Sequence, residues 1–125
     1  MMNKLLSIVV GLVGVFFVLT GLRWLVDPSA VAGQFGMALS TGVGRSTQIG
    51  DLASFFLTLG LSILLALVTS KRAWYYPGMM LLGFAAFGRM VAWLLYDAAF
   101  AADMILVEVI VAGLLVLASR RLAKA

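Results

Sequence analysis

The sequence predicts an all-α protein, a bundle of four transmembrane helices with a short interfacial helix between the first and second spans. Three observations carry that prediction. Of the 125 residues, 64% are hydrophobic and 11% are charged, whereas a soluble domain carries roughly 25% charged residues. The mean hydropathy of +1.15 describes more apolar surface than a soluble fold of this length can hide. The apolar residues also fall into four runs near the length of about 20 residues that a helix needs to cross a bilayer. Four spans with short connections fill one membrane domain, residues 1–125.

The first span covers about residues 5 to 26. Met1-Met2-Asn3-Lys4 ahead of an apolar run, with Ala30-Val31-Ala32 beyond it, also has the outline of a cleaved leader. The run is too long for a leader core and Arg23 interrupts its exit, so a retained helix is expected. Asp27-Pro28 then starts a short helix, with Asp at the cap and Pro in the first turn. Residues 29–35 are expected at the membrane surface.

Glycines at 33, 36, 42 and 44 mark a loop before the second span, about residues 46 to 70, which stops at Lys71-Arg72. Pro77-Gly78 opens the third span, about residues 75 to 97. Trp74, Tyr75 and Tyr76 form an aromatic belt at its start, and Trp93, Tyr96 and Asp97 close it at the far interface, where Trp24 also belongs. The fourth span, about residues 99 to 119, ends at Arg120-Arg121 with Lys124 just beyond.

Four crossings place Lys4, Lys71, Arg72, Arg120, Arg121 and Lys124 on one side, with no acid among them. Asp27, Asp97 and Asp103 fall on the other side with Arg45. Positive residues stay in the cytoplasm, so both termini are expected there. The same placement explains the net charge of +4 and pI near 10.0 without a nucleic-acid partner. The chain has no Cys and no His, which removes thiol nucleophiles, disulfides, imidazole bases and almost every transition-metal site. No metal site, cofactor or catalytic set is expected, and Met79, Met80, Met90 and Met104 read as ordinary core or lipid-facing side chains.

Two charges lie inside spans. Arg89 sits on the third and Glu108 on the fourth, and each costs about 2.5–3.5 kcal/mol near a helix centre if left alone. Counting from the cytoplasmic ends, both reach nearly the same depth, roughly 16–18 Å at the helical rise. The two helices are antiparallel neighbours, so an Arg89–Glu108 ion pair is expected. It either fixes the register of two helices or lets Arg89 hold the head of an anionic or polar lipophilic ligand.

Asp51, Ser54, Thr58 and Ser62 recur three, four and four residues apart on the second span and form one stripe. The stripe is expected to face the bundle. Its hydroxyls either satisfy backbone carbonyls or wall a polar cavity, with Asp51 gathering near Arg23, Arg45 and Asp97. Arg89, Trp93 and Asp97, spaced by four, would extend that cluster outward. Ser7, Gly11, Gly14 and Gly21 form a small-residue face on the first span, and Gly78, Ala85, Gly88 and Ala92 another on the third, for contacts within the bundle or between copies.

The order Gly21-Leu22-Arg23-Trp24, Asp27-Pro28, Phe35-Gly36, Gly50-Asp51, Gly88-Arg89, Leu95-Tyr96-Asp97 and Glu108 resembles a bacterial family of small four-helix membrane proteins catalogued only as a domain of unknown function. The resemblance covers nearly the whole chain through short motifs. It implies a four-helix fold in a bacterial inner membrane, with an arginine on the third helix, an aspartate ending it and a glutamate on the fourth that recur in the family and correspond to Arg89, Asp97 and Glu108. Family members often carry Gly where this chain has Asp51, and the resemblance implies no activity.

The function first in order is therefore a non-enzymatic accessory or scaffold subunit, packing with itself or within a larger membrane complex. Second is a binder of a lipophilic ligand, such as a lipid, a sterol-like compound or a quinone, at Arg89, Glu108 and Asp51. A small transporter or channel comes third, since carboxylates inside membranes often mark ion routes. The strong charge bias separates the chain from dual-topology four-helix carriers. An enzyme comes last, for want of a recognised catalytic motif.

Overall fold

The computed structural model of the protein describes residues 1–124, and among these it is helical throughout, with one isolated backbone bridge and no strand. Four helices are long and apolar enough to cross a membrane: α1 (Met2–Val26), α3 (Gly42–Thr69), α4 (Tyr76–Leu95) and α5 (Ala102–Arg121). A seven-residue helix, α2 (Pro28–Gln34), follows α1, and a 3-10 turn, Arg72–Tyr75, leads into α4.

The boundaries have local causes. Asp27 leaves the helical region with φ −141°, as a residue before proline must, and Pro28 takes the first position of α2, where its missing N–H costs nothing. The helix α3 begins four residues before the expected start because Gln48 ties the preceding loop to it. The Gln48 Oε1 accepts the Ser40 N–H at 2.7 Å, and its Nε2 donates to the Ala38 carbonyl at 3.1 Å. At the other end Ser70 adopts a left-handed φ of 56°, and its N–H caps the helix on the Ala66 carbonyl. The helix α4 stops two residues earlier than expected, because Asp97 turns left-handed at φ 57° and the Ala98 N–H folds back to the Ala92 carbonyl at 3.1 Å. Aspartate tolerates that conformation better than most residues.

The most extensive contact joins α1 to α3. It is a close approach of backbones, as the small-residue face of α1 leads one to expect. A Cβ on Gly60 would lie 2.6 Å from the Val18 backbone nitrogen and 2.7 Å from the Gly14 carbonyl oxygen. One on Gly21 would lie 2.9 Å from the Leu57 nitrogen. The helix α4 packs against α3 and α5, and α5 in turn touches α1, which closes the ring. Val10, Leu59, Ile63 and Leu115 lie fully buried where these helices meet.

The ring is uneven. On α4 only Gly78 and Leu82 are buried, both close to its first turn, and the rest of the helix lies open or half-open. The second small-residue face is therefore not a packing surface along its length. Gly78 meets Leu115, where an added Cβ would approach Cδ1 to 2.7 Å, but Gly88 has nothing within 4 Å.

Candidate functional site

The helices α4 and α5 run in opposite directions, and they deliver Arg89 and Glu108 to one level. Arg89 lies thirteen positions after Tyr76 and Glu108 thirteen before Arg121, about 20 Å along each helix. Both also lie six positions inside the opposite ends, Leu95 and Ala102, about 9 Å deep. The pair thus sits in the third of the bundle farther from the basic residues. Side chains on a helix lean toward their own N-terminus. Arg89 therefore leans toward the basic end and Glu108 away from it, so it is the shared level of the two positions, and not the lean, that brings the pair together.

The contact is an ion pair. The Arg89 Nε donates to Glu108 Oε1 at 3.0 Å and to Oε2 at 3.1 Å. The Glu108 side chain is 10% exposed and that of Arg89 is 32% exposed. Neither Nη of Arg89 has an acceptor among the described residues. Most bidentate arginine–carboxylate pairs use two nitrogens of the fork. Here one nitrogen serves both carboxylate oxygens, and the outer edge of the guanidinium is left with its donors free.

The other expected partners do not gather here. Arg23 donates from Nη1 to Gln34 Oε1 at 3.3 Å, and Arg45 donates from Nε to the Ser40 carbonyl at 2.9 Å. Asp51 and Asp97 are exposed, and neither makes an ion pair among the described residues. No ion pair joins Arg23 or Arg45 to Asp51 or Asp97 among the described residues, and each arginine bonds locally instead.

The polar stripe of α3 also departs from expectation. Asp51, Ser54 and Thr58 are exposed, and only Ser62, at 5% exposure, is buried. Contact with α1 turns Ala53, Phe56, Gly60 and Ile63 inward, and the upper stripe lies on the far side of the helix from them. The Ser54 hydroxyl donates to the Gly50 carbonyl at 2.7 Å, which satisfies it without a neighbouring helix.

The aromatics divide. Trp74, Trp93, Tyr76 and Tyr96 are exposed, whereas Trp24 and Tyr75 are fully buried and belong to the core, where the sequence places them in a belt. Trp24 packs near Phe35, with ring centroids 6.4 Å apart, beneath the α2 segment that supplies buried Val31 and Ala32. Its Nε1 and the Tyr75 hydroxyl have no hydrogen-bond partner among the described residues. Trp93 meets Phe100 in a tilted contact, with ring centroids 4.9 Å apart, across the loop that follows α4.

Two open grooves mark the surface. One, of about 470 Å³, crosses the outer face of α4 over Met79, Met80, Gly83, Phe84 and Phe87, and the other, of about 240 Å³, lies at residues 100–104. Arg89 and Glu108 line neither. Among the described residues no group of three or more acidic side chains comes together in a way that could hold a metal ion.

A contact invisible in the sequence closes the basic end. The Lys124 N–H donates to the Ser70 carbonyl at 2.7 Å, the Arg72 N–H donates to the Lys124 carbonyl at 3.3 Å, and the Arg72 Nε donates to the Ser119 carbonyl at 3.0 Å. Only the basic residues themselves could have pointed to it. They read equally well as solvated charges flanking a membrane span.

These features define a class, a multi-pass helical protein with four candidate membrane spans and an ion pair between two of them. Family models, curated proteins and solved structures give no match to the chain.

Proposed function

We propose that the protein is a non-enzymatic membrane protein that takes a lipophilic molecule from the bilayer and holds its anionic or hydrogen-bond-accepting head on Arg89. The observation that carries this reading is the free Nη edge of a guanidinium already paired with Glu108. Pairing removes most of the penalty for a charge at that depth. The donors that remain face a medium poor in acceptors, and a guanidinium fork matches a carboxylate, phosphate or carbonyl head. The half-open face of α4 leaves a lateral route from the bilayer.

The reading includes an address. The basic residues at one end favour a bacterial inner membrane with both termini in the cytoplasm, and α2 as an interfacial helix at the opposite surface. Kinship with the small four-helix family rests on motif order.

Mild extraction from native membranes, followed by mass spectrometry of every small molecule and protein that stays bound, tests the proposal. One enriched amphiphile, reduced about tenfold or more in Arg89→Lys, which keeps the charge and loses the fork, is the expected result. Equal recovery from both proteins would sink it.

A second reading is favoured by a different observation. Because α4 buries only Gly78 and Leu82, the protein also fits an accessory or scaffold subunit whose α4 packs on a second copy or on a larger complex. A stoichiometric protein companion in the same extraction would support that reading.

A further inference from the structure

We infer that the basic end of the bundle is a binding site for the phosphate head of an anionic phospholipid in the adjoining leaflet. The backbone bridge pairs Lys71 with Lys124 in parallel register. Residues facing each other across such a bridge stand about 4.8 Å apart and point to the same side, so two ammonium stems are held next to each other by main-chain bonds. Like charges directly opposite are unfavourable, and the fold surrounds this pair with more of the same sign. Arg120 and Arg121 occupy the last turn of α5, and Arg72 is drawn in by its bond to the Ser119 carbonyl.

No acidic side chain compensates them. All five acids of the chain, Asp27, Asp51, Asp97, Asp103 and Glu108, lie elsewhere. They occupy the opposite connections or the halves of α3 and α5 farther from the basic end. Lys71, Arg120, Arg121 and Lys124 are all exposed, and they come from two segments separated by a whole helical hairpin. The arrangement concentrates positive charge, with no acidic side chain beside it, at the ends of apolar helices, where a lipid headgroup is the anion at hand. A phosphate bridging Lys71, Lys124 and Arg121 would relieve the repulsion and tighten the clip that joins the chain after α5 to the α3–α4 connection.

The test is thermal unfolding of the full chain in three settings: phosphatidylcholine vesicles, the same vesicles with phosphatidylglycerol added, and phosphatidylcholine vesicles in inorganic phosphate. Phosphatidylglycerol should raise Tm by about 3 °C or more, and raised salt should erase that gain. The gain should vanish in Lys71→Gln/Lys124→Gln, whose backbone bridge can still form, and persist in Arg45→Gln at the other end. An equal gain from inorganic phosphate would overturn the assignment to a lipid. So would a gain that survives the double substitution, or no gain at all in the unaltered protein.

Discussion

The Arg89 Nε lies 3.0 Å from one Glu108 carboxylate oxygen and 3.1 Å from the other, and this is the one ion pair among the described residues. It joins two helices whose other buried residues, Gly78 and Leu82 on α4 and Val111, Leu115, Ala118 and Ser119 on α5, lie toward the basic end. The contact therefore matters most where packing is thinnest.

Removing one partner should leave the other charge uncompensated. Arg89→Ala or Glu108→Ala should destabilise the protein by about 3–5 kcal/mol, whereas the matched apolar pair Arg89→Met/Glu108→Leu should fall within about 1 kcal/mol of the parent or above it. Reversible unfolding in detergent, read as a double-mutant cycle, measures the coupling. A double variant as unstable as the sum of the singles would show that the two residues act independently.

The glycine contact between α1 and α3 should tolerate no side chain. A Cβ on Gly60 would meet main-chain atoms of Val18 and Gly14, which cannot rotate away. Gly60→Val should cost at least about 3 kcal/mol by forced separation of the helices. Gly88→Ala, which meets nothing within 4 Å, should be neutral or stabilise the helix by up to about 1 kcal/mol. Paired melting curves of the two variants give the comparison.

Buried polar atoms without partners offer a gain. Tyr75 is fully buried and its hydroxyl has no partner among the described residues, so Tyr75→Phe removes a desolvated group while keeping the ring. A stabilisation of up to about 1 kcal/mol is expected, against a loss of about 3–5 kcal/mol for Tyr75→Ala. A clear loss of stability in Tyr75→Phe would mean that the hydroxyl does find a partner.

The outward stripe of α3 should be nearly silent in stability. Thr58→Val and Asp51→Asn alter exposed positions and should stay within about 0.5 kcal/mol of the parent. Ser62→Val, at a buried position, should cost more through overpacking, about 1–3 kcal/mol. The reverse order in chemical denaturation would place the stripe in the bundle interior after all.

Sidedness can be read with single cysteines, since the chain has none of its own. Lys4→Cys and Lys124→Cys should react with a membrane-impermeant maleimide only after the inner face is opened, and Ser46→Cys should react before. Labelling of all three from one side would contradict four crossings.

The four long apolar helices, their order, and the matched level of Arg89 and Glu108 were all legible from residue numbers. Helical rise and the length of an apolar run are one-dimensional quantities. Even the pairing of the two charges followed, because each is costly alone and a short connection makes their helices neighbours. The glycine face of α1 was legible for the same reason, as a spacing on a single helix.

Which face of each helix turns inward was decided only by the tertiary structure. In a soluble protein the apolar stripe points to the core. In this chain the long helices are apolar on both faces, so hydrophobic patterning loses its sense of direction. That is why the stripe of Asp51, Ser54 and Thr58 could be placed on one face of α3 but not on the right side of it. Trp24 and Tyr75 read as belt residues for a similar cause. Their distance from the span ends suits an interface, but α2 follows directly on Trp24's helix with buried Val31 and Ala32, and the Arg72–Tyr75 turn carries Tyr75 inward. The bridge from Lys124 to Ser70 and the free edge of Arg89 depend on where separate segments meet and which nitrogen donates, and spacing along the chain encodes neither.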